Sequence, residues 1–179
     1  MGPRDPHSDP RRCSGVTLVL GGTRSGKSEV AERLVAALAS EGGGAVTYVA
    51  TASPADEGME RRIAAHRARR PRSWSTVELG SSSELPELLR QLEGSVLVDS
   101  LGSWVASAPR LEVDGPALAR ALQARAGSTV VVSEEVGMAV HPATAAGRTF
   151  VDALGHLNQT VAGVAARVLL VVAGRTLEL

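Results

Sequence analysis

The feature that most constrains the fold is a glycine-rich segment near the start of the chain, GGTRSGKS. A glycine, four free positions and then Gly-Lys-Ser is the spacing of a phosphate-binding P-loop, and it runs here from Gly21 to Ser28. An apolar run at residues 16–20 precedes the segment, and helical apolar spacing follows it at Val30, Leu34, Ala37 and Leu38. The sequence therefore predicts a strand, a phosphate-binding loop and a helix, with an ordinary glycine turn as the alternative.

The residue types of this loop match the chemistry of phosphate binding. Glycines let successive backbone N–H groups curl around an anion at the start of a helix, where the helix dipole also favours negative charge. Lys27 would reach the outer phosphates and the Ser28 hydroxyl would ligate Mg²⁺. Lys27 is also the chain's one lysine, and the other 18 of its 19 lysine and arginine residues are arginines. A compact ammonium is thus kept at the one position where a planar guanidinium would not fit. The residues expected to bind nucleotide here are Gly21, Gly22, Thr23, Arg24, Ser25, Gly26, Lys27 and Ser28.

Length and composition limit the classes of protein to consider. The chain has 179 residues, 44% of them hydrophobic, which suits one globular domain, and its 19 basic and 19 acidic residues cancel. A neutral chain has no global field for nucleic acid or a membrane surface, and no apolar run is long enough to span a bilayer. The single cysteine fits a reducing, cytoplasmic compartment. We expect residues 1–15, which are rich in proline and charge, to be a disordered tail, and residues 16–179 to be the domain.

Apolar runs and helical patterns alternate along the chain. The predicted strands are 16–20, 45–50, 74–79, 95–99, 129–133 and 168–172, and the predicted helices are about 56–70, 84–93, 102–108, 115–126 and 148–166. This alternation predicts an α/β fold of the P-loop NTPase type, with a doubly wound, mostly parallel sheet and helices on both faces. Ligands of such sheets bind at the C-terminal ends of the strands.

One carboxylate and one arginine-rich segment are further candidates for nucleotide chemistry. Asp99 ends an apolar strand, the place where P-loop domains put a carboxylate for Mg²⁺, although it could instead cap the next helix. Residues 61–72 contain six arginines and no acid. This segment is either a solvated helix face or an arginine-lined groove for phosphates.

His66 lies in the middle of the arginine-rich segment. Helical spacing puts Arg62 and Arg70 on the same face as His66, and nearby positive charge disfavours the imidazolium form. A neutral imidazole beside a bound triphosphate can attack phosphorus and form a covalent intermediate. The segment therefore makes His66 a candidate nucleophile.

These motifs occur in an order that resembles one known family. The shared positions are GGTRSGKS, residues 48–52, Met59, Arg62-Ile63, His66-Arg67, Arg70-Pro71, Trp74, residues 76–78, residues 97–99, Val132-Ser133, residues 135–138, Pro142, Arg148, Phe150, Asp152, Gly155 and Asn158-Gln159. They extend over nearly the whole chain after the tail. The set resembles the bifunctional adenosylcobinamide kinase and adenosylcobinamide-phosphate guanylyltransferase family of cobalamin biosynthesis.

The resemblance implies a two-step activity. An enzyme of this family phosphorylates the aminopropanol hydroxyl of adenosylcobinamide, with GTP or ATP as donor, and then transfers GMP from GTP onto adenosylcobinamide phosphate. It implies a GMP adduct on His66, Mg²⁺ on Ser28 and Asp99, and a homotrimer. The nucleotide contacts that it implies beyond the loop are Ala50, Thr51, Ala52, Arg67, Ala68, Arg69, Arg70, Glu78 and Asp99. Glu78 is a candidate either for reading the guanine edge, because a carboxylate can accept from its N–H donors, or for contacting only the ribose.

The chain departs from the family pattern near the expected acceptor side. Gly102 and Ser103 stand where the family usually has a threonine and an apolar residue, and Ser107 and Glu134 each replace an asparagine. These departures favour guanylyl transfer over the kinase reaction as the retained activity. Two alternatives therefore stay open: a P-loop kinase of another small alcohol, and a GTP-binding regulatory module without histidine chemistry.

Overall fold

A computed structural model of the protein describes residues 15–42, 44–51 and 70–179. The strands are β1 (Val16–Gly21), β2 (Val46–Ala50), β3 (Ser75–Glu78), β4 (Ser95–Asp99), β5 (Thr129–Glu134), β6 (Arg167–Val172) and β7 (Arg175–Glu178). The α-helices are α1 (Lys27–Gly42), α2 (Leu85–Gln91), α3 (Leu101–Ser107), α4 (Gly115–Ala124) and α5 (Ala145–Ala162). The expected tail, apart from Gly15, and the predicted helix at 56–70, apart from Arg70, lie outside the described residues.

The described strands form one seven-stranded sheet in the order β3-β2-β4-β5-β1-β6-β7. All neighbours are parallel except β6 and β7, which form an antiparallel hairpin. Parallel pairing brings the C-terminal ends of β4, β5 and β1 to the same edge, with Gly21 of β1 directly opposite Glu134 of β5. The prediction of a mostly parallel, P-loop NTPase-like sheet is confirmed.

Helices cover both faces of this sheet, as predicted. α1 packs on one face, where its residues Val30 and Val35 join a buried cluster with Val19 of β1. On the other face α2, α3, α4 and α5 bury a larger cluster that includes Leu18 of β1. Successive strand residues point to opposite faces, so an apolar run fills two cores at once. Of the apolar positions that predicted this helix, Val30 is buried, Leu34 and Leu38 are half-buried, and Ala37 is exposed.

The two tryptophans serve packing. Trp104 of α3 is 1% exposed, and its indole Nε1 donates to the Ser82 carbonyl at 2.6 Å. Trp74 is partly buried against the cluster under α1. Trp104 is therefore a core residue whose polar atom is satisfied inside the protein.

The C-terminus holds an element that the apolar pattern did not predict. Beyond β6 the chain reverses through Ala173 and Gly174, both with positive φ, and returns as the exposed strand β7. Two left-handed residues are what a tight hairpin of this kind requires. The pattern missed β7 because a strand exposed along its length carries no run of apolar residues. Among the described residues, no helix is long and apolar enough to cross a membrane.

Candidate functional site

The predicted phosphate-binding loop connects β1 to α1, and Lys27 is the first residue of the helix. Gly26 has φ +92°, a conformation that other residues rarely adopt. A Cβ added at Gly21 would lie 2.8 Å from the Val171 carbonyl oxygen and closer still to the Ser25 hydroxyl. Two glycines of the motif are therefore required by the backbone, and the strand–loop–helix prediction is confirmed.

The C-terminal hairpin braces this loop from outside. The Gly174 N–H donates to the Ser25 carbonyl at 2.8 Å, and a Cβ added at Gly26 would lie 3.3 Å from the Gly174 Cα. The β6–β7 turn thus fixes the outer side of the loop whose N–H groups would face a phosphate. The motif alone gives no signal for this contact, since the two segments lie at opposite ends of the chain.

Lys27 is held between its own loop and an acidic side chain. Its Nζ lies 3.4 Å from the Gly22 carbonyl oxygen and 3.5 Å from Oε1 of Glu134, which ends β5. The Lys27 side chain is only 12% exposed and that of Glu134 is 29% exposed. The Ser100 hydroxyl donates to the same carboxylate, with distances of 3.0 and 3.1 Å to its two oxygens. The loop lysine therefore faces a fixed negative charge.

Asp99 ends β4 at the same edge of the sheet. Its Oδ2 accepts a hydrogen bond of 3.0 Å from the Tyr48 hydroxyl. The next helix, α3, is capped instead by Ser100, whose hydroxyl accepts from the Ser103 N–H. The alternative in which Asp99 caps this helix is wrong. The end of β2 is tied to the same place, because the Thr51 hydroxyl donates to the Ser100 carbonyl at 2.6 Å.

Tyr48 connects Asp99 to Arg70, the described residue of the predicted helix 56–70. The Arg70 guanidinium lies over the Tyr48 ring, 3.2 Å from its centroid, which is a cation–π contact. Burial raises the pKa of the Tyr48 hydroxyl well above its ordinary value, and the charge of Asp99 raises it further, while Arg70 opposes both. The phenol therefore stays protonated and donates to Asp99 through the neutral range.

We expect this phenol to contribute to the loss of stability at alkaline pH. Its pKa is raised in the folded protein, so the unfolded state loses the proton first, above about pH 10. The contribution of the phenol to the free energy of unfolding is complete below that pH and declines as the pH rises. Tyr48 is the chain's one tyrosine, so tyrosinate absorbance reports on it alone. Tyrosinate should appear together with unfolding in an alkaline titration followed by circular dichroism.

The matched variant for this titration is Tyr48→Phe. We expect its unfolding midpoint in urea to fall less between about pH 9 and 11 than that of the wild type, since it lacks the titrating phenol. A tyrosinate signal that developed near pH 10 in a still folded wild type would contradict the burial and the hydrogen bond to Asp99.

The remaining predicted site residues fall into two groups. Ala50, Glu78 and Asp99 are register partners on neighbouring strands, so they line the same edge of the sheet as the loop. Glu78 is exposed there. The other predicted residues lie outside the described part of the chain, and their positions stay predictions: Ala52, His66, Arg67, Ala68 and Arg69.

Glu134 is the site residue whose role the sequence did not reveal, although its departure from the family pattern was noted. Asn158 of α5 fixes the end of its strand, since the Asn158 side chain donates to the Glu134 carbonyl at 3.0 Å and accepts from the Ser133 hydroxyl at 2.6 Å. The signal that points to Glu134 is the one that identified Asp99, a carboxylate directly after an apolar strand.

Comparison with known proteins identifies the family. The model of the family described as cobinamide kinase / cobinamide phosphate guanyltransferase matches residues 17–179. The bifunctional adenosylcobalamin biosynthesis protein CobP of Pseudomonas aeruginosa is 41% identical over 90% of this chain and 95% of its own length. The corresponding CobU protein of Escherichia coli is 32% identical over 88% of this chain and 95% of its own length.

Solved structures agree on the fold alone. The flagellar accessory protein FlaH of Methanocaldococcus jannaschii has a TM-score of 0.52 at 11% identity, covering 90% of this chain and 74% of its own. A KaiC-like protein of Pyrococcus horikoshii has a TM-score of 0.51 at 16% identity, covering 87% and 70%. The fold is thus P-loop NTPase-like, and since the family model spans the chain from β1 to its last residue, the chain belongs to the cobinamide kinase / cobinamide phosphate guanyltransferase family.

Proposed function

We propose that the protein phosphorylates adenosylcobinamide on its aminopropanol hydroxyl and then transfers GMP from GTP onto the product. The observation that carries the proposal is the family match, which includes the loop that holds Lys27 against Glu134 at the end of β5. The family's printed description contains both activities, and two relatives that are more than 30% identical are called bifunctional.

The first step is phosphoryl transfer to an alcohol. The alcohol oxygen attacks the γ-phosphorus of the nucleotide, the bond from that phosphorus to the bridging oxygen breaks, and the nucleoside diphosphate leaves. This reaction depends mostly on positioning and on charge stabilisation. The loop N–H groups and the Lys27 ammonium supply both at the N-terminus of α1.

The second step is nucleotidyl transfer through His66. A ring nitrogen of His66 attacks the α-phosphorus of GTP and pyrophosphate leaves. A phosphate oxygen of adenosylcobinamide phosphate then attacks the same phosphorus, the bond to the histidine breaks, and adenosylcobinamide-GDP forms. The arginines around His66 in the sequence suit this step, because their charge favours a neutral imidazole and neutralises the departing pyrophosphate.

Mg²⁺ and the nucleotide complete the proposal. The Ser28 hydroxyl and the Asp99 carboxylate fit Mg²⁺, because hard oxygen ligands are the kind that it prefers. The described residues contain no group of three His, Cys, Asp or Glu side chains for a metal, so the ion would also depend on nucleotide phosphates. When bound, it neutralises charge on those phosphates. GTP is the proposed substrate, with ATP as a possible donor for the first step, and a cytoplasmic homotrimer is the proposed assembly.

The test uses GTP labelled at the α-phosphate, in parallel with GTP labelled at the γ-phosphate, and purified wild-type protein with Mg²⁺. The variant is His66→Ala. Its matched control is His141→Ala, because His141 is exposed in the loop before α5. We expect the wild type and the control to retain acid-labile, base-stable α-label and His66→Ala to retain none.

Addition of adenosylcobinamide separates the two steps. With γ-labelled GTP, we expect the label to appear in the phosphate of adenosylcobinamide phosphate. With α-labelled GTP and unlabelled adenosylcobinamide phosphate, we expect the label to appear in adenosylcobinamide-GDP. Retention of α-label by His66→Ala would contradict the histidine intermediate. Phosphorylation of another alcohol, with no α-label in any protein, would favour a simple P-loop kinase.

A further inference from the structure

The contacts of Glu134 point to a function in the reaction. We propose that Glu134 is the general base of the kinase step, accepting the proton of the alcohol that attacks the γ-phosphorus. This inference rests on the proposed kinase activity and adds to it a residue that acts on the acceptor. Its premises are the position of the Glu134 carboxylate beside Lys27, its fixed orientation, and the space that Gly102 leaves for it.

The first premise is position. The lysine of a P-loop reaches the outer phosphates of the bound nucleotide. Glu134 Oε1 lies 3.5 Å from the Lys27 Nζ, and Glu134 stands directly opposite Gly21, where the loop begins. A carboxylate at this place lies beside the terminal phosphate once a nucleotide occupies the loop. That is where the attacking hydroxyl must also come.

The second premise is orientation. The Ser100 hydroxyl holds the carboxylate from the side of β4, and Asn158 holds the Glu134 backbone from α5. A general base must keep its geometry through the reaction, and a hydrogen bond to a neighbouring group provides that. The Lys27 ammonium also attracts the carboxylate, and a bound phosphate would interact with the same ammonium. Ser100 and Lys27 thus hold the carboxylate itself at the mouth of the loop, and Asn158 fixes the backbone that carries it.

The third premise is space. A Cβ added at Gly102 would lie 2.8 Å from the Glu134 Cδ and would collide with Oε2. Gly102 is buried in the first turn of α3, so its neighbours leave little room for the carboxylate to move aside. The absence of a side chain at position 102 is therefore what admits a glutamate at position 134. Gly102 and Glu134 are thus one coupled feature of this site.

The proton balance of the step is simple. As the alcohol oxygen forms its bond to the γ-phosphorus, its proton passes to a Glu134 oxygen, and the bond to the bridging oxygen breaks. The nucleoside diphosphate leaves, and the protonated carboxyl later gives the proton to water. No further reactant is needed. The same side chain has no task in guanylyl transfer, because the acceptor in that step is an ionised phosphate.

The test compares the two half-reactions in Glu134→Gln, which keeps the size of the side chain and an acceptor for Ser100. Phosphorylation of adenosylcobinamide should fall about 10²- to 10⁴-fold, the usual contribution of a general base. Guanylyl transfer to supplied adenosylcobinamide phosphate should also be measured in this variant. Its fold-loss should be smaller than that of the kinase reaction by a factor of at least about ten. Glu134→Asp should recover part of the kinase rate, because a carboxylate returns. Titration with a fluorescent GTP analogue measures nucleotide binding in each variant.

The coupling to position 102 gives an independent measurement. Gly102→Ala should lower the kinase rate in the wild-type background and change it little in Glu134→Gln, which has already lost the base. Gly42→Ala is the matched control, because a Cβ there meets nothing within 4 Å. Additive losses from Gly102→Ala in both backgrounds would overturn the coupling.

Three results separate the hypotheses. If the wild type phosphorylates adenosylcobinamide and Glu134→Gln does so at the same rate, this inference is overturned and the proposed function stands. Equal losses of both half-reactions would also overturn it, since they would assign Glu134 to positioning the loop lysine. A wild type that phosphorylates no adenosylcobinamide would contradict the proposed kinase function itself.

Discussion

Replacement of Lys27 by alanine is expected to lower both proposed reactions by about 10²- to 10³-fold or more, the usual effect of removing one group that stabilises developing charge. The chain contains no other lysine that could substitute for it. Its ammonium lies at the start of α1, where a nucleotide used by either step must place its phosphates. The measurement is the initial rate of each half-reaction, with circular dichroism to confirm the fold.

Two further variants make this prediction specific. Lys27→Arg keeps the charge, but a guanidinium is larger and planar, and the space between the Gly22 carbonyl and Glu134 holds a compact ammonium. We expect it to remain impaired. Arg33→Ala removes an exposed cation of the same helix, paired with Glu29 at 2.8 Å, and should leave both rates near the wild-type values. Activity of Lys27→Ala within tenfold of the wild type would exclude this loop as the phosphate site.

Most of the fold follows from local sequence patterns. Residues 129–133 centre on three consecutive valines, a pattern typical of parallel strands that are buried on both faces, and the structure has β5 there. The loop motif then fixes which end of the sheet binds ligand. Asp99 could be placed at that end from its position after an apolar strand, because parallel strands share one C-terminal edge.

Contacts between distant segments could not be read in this way. The contact between Gly102 and the Glu134 side chain depends on how α3 approaches β5, and each residue alone only appeared unusual. The brace from Gly174 to the phosphate loop likewise joins the two ends of the domain. Sequence patterns specify which face of an element is buried. They do not specify which side chain of the next element meets it.

Replacement of Arg125 by alanine is expected to lower the free energy of unfolding by about 3 kcal/mol, because it removes several charge-assisted hydrogen bonds to partly buried acceptors. Arg125 follows α4, and its guanidinium donates to the carbonyls of Leu89, Leu92 and Gly94 and to the Thr129 hydroxyl. Burial lowers the pKa of this guanidinium, but arginine remains charged in proteins. The three carbonyls would lose this donor together.

The measurement is urea unfolding, supported by a melting temperature that should fall by about 6 to 12 °C for a chain of this size. Arg120→Ala is the matched control, because Arg120 is exposed on α4, and it should stay within about 0.5 kcal/mol of the wild type. Gly94 and Thr129 lie at the N-terminal ends of β4 and β5, opposite to the phosphate site. Arg125→Ala should therefore keep both catalytic rates at temperatures where it is folded. A loss of rate in the folded variant would mean that the two edges of the sheet are coupled.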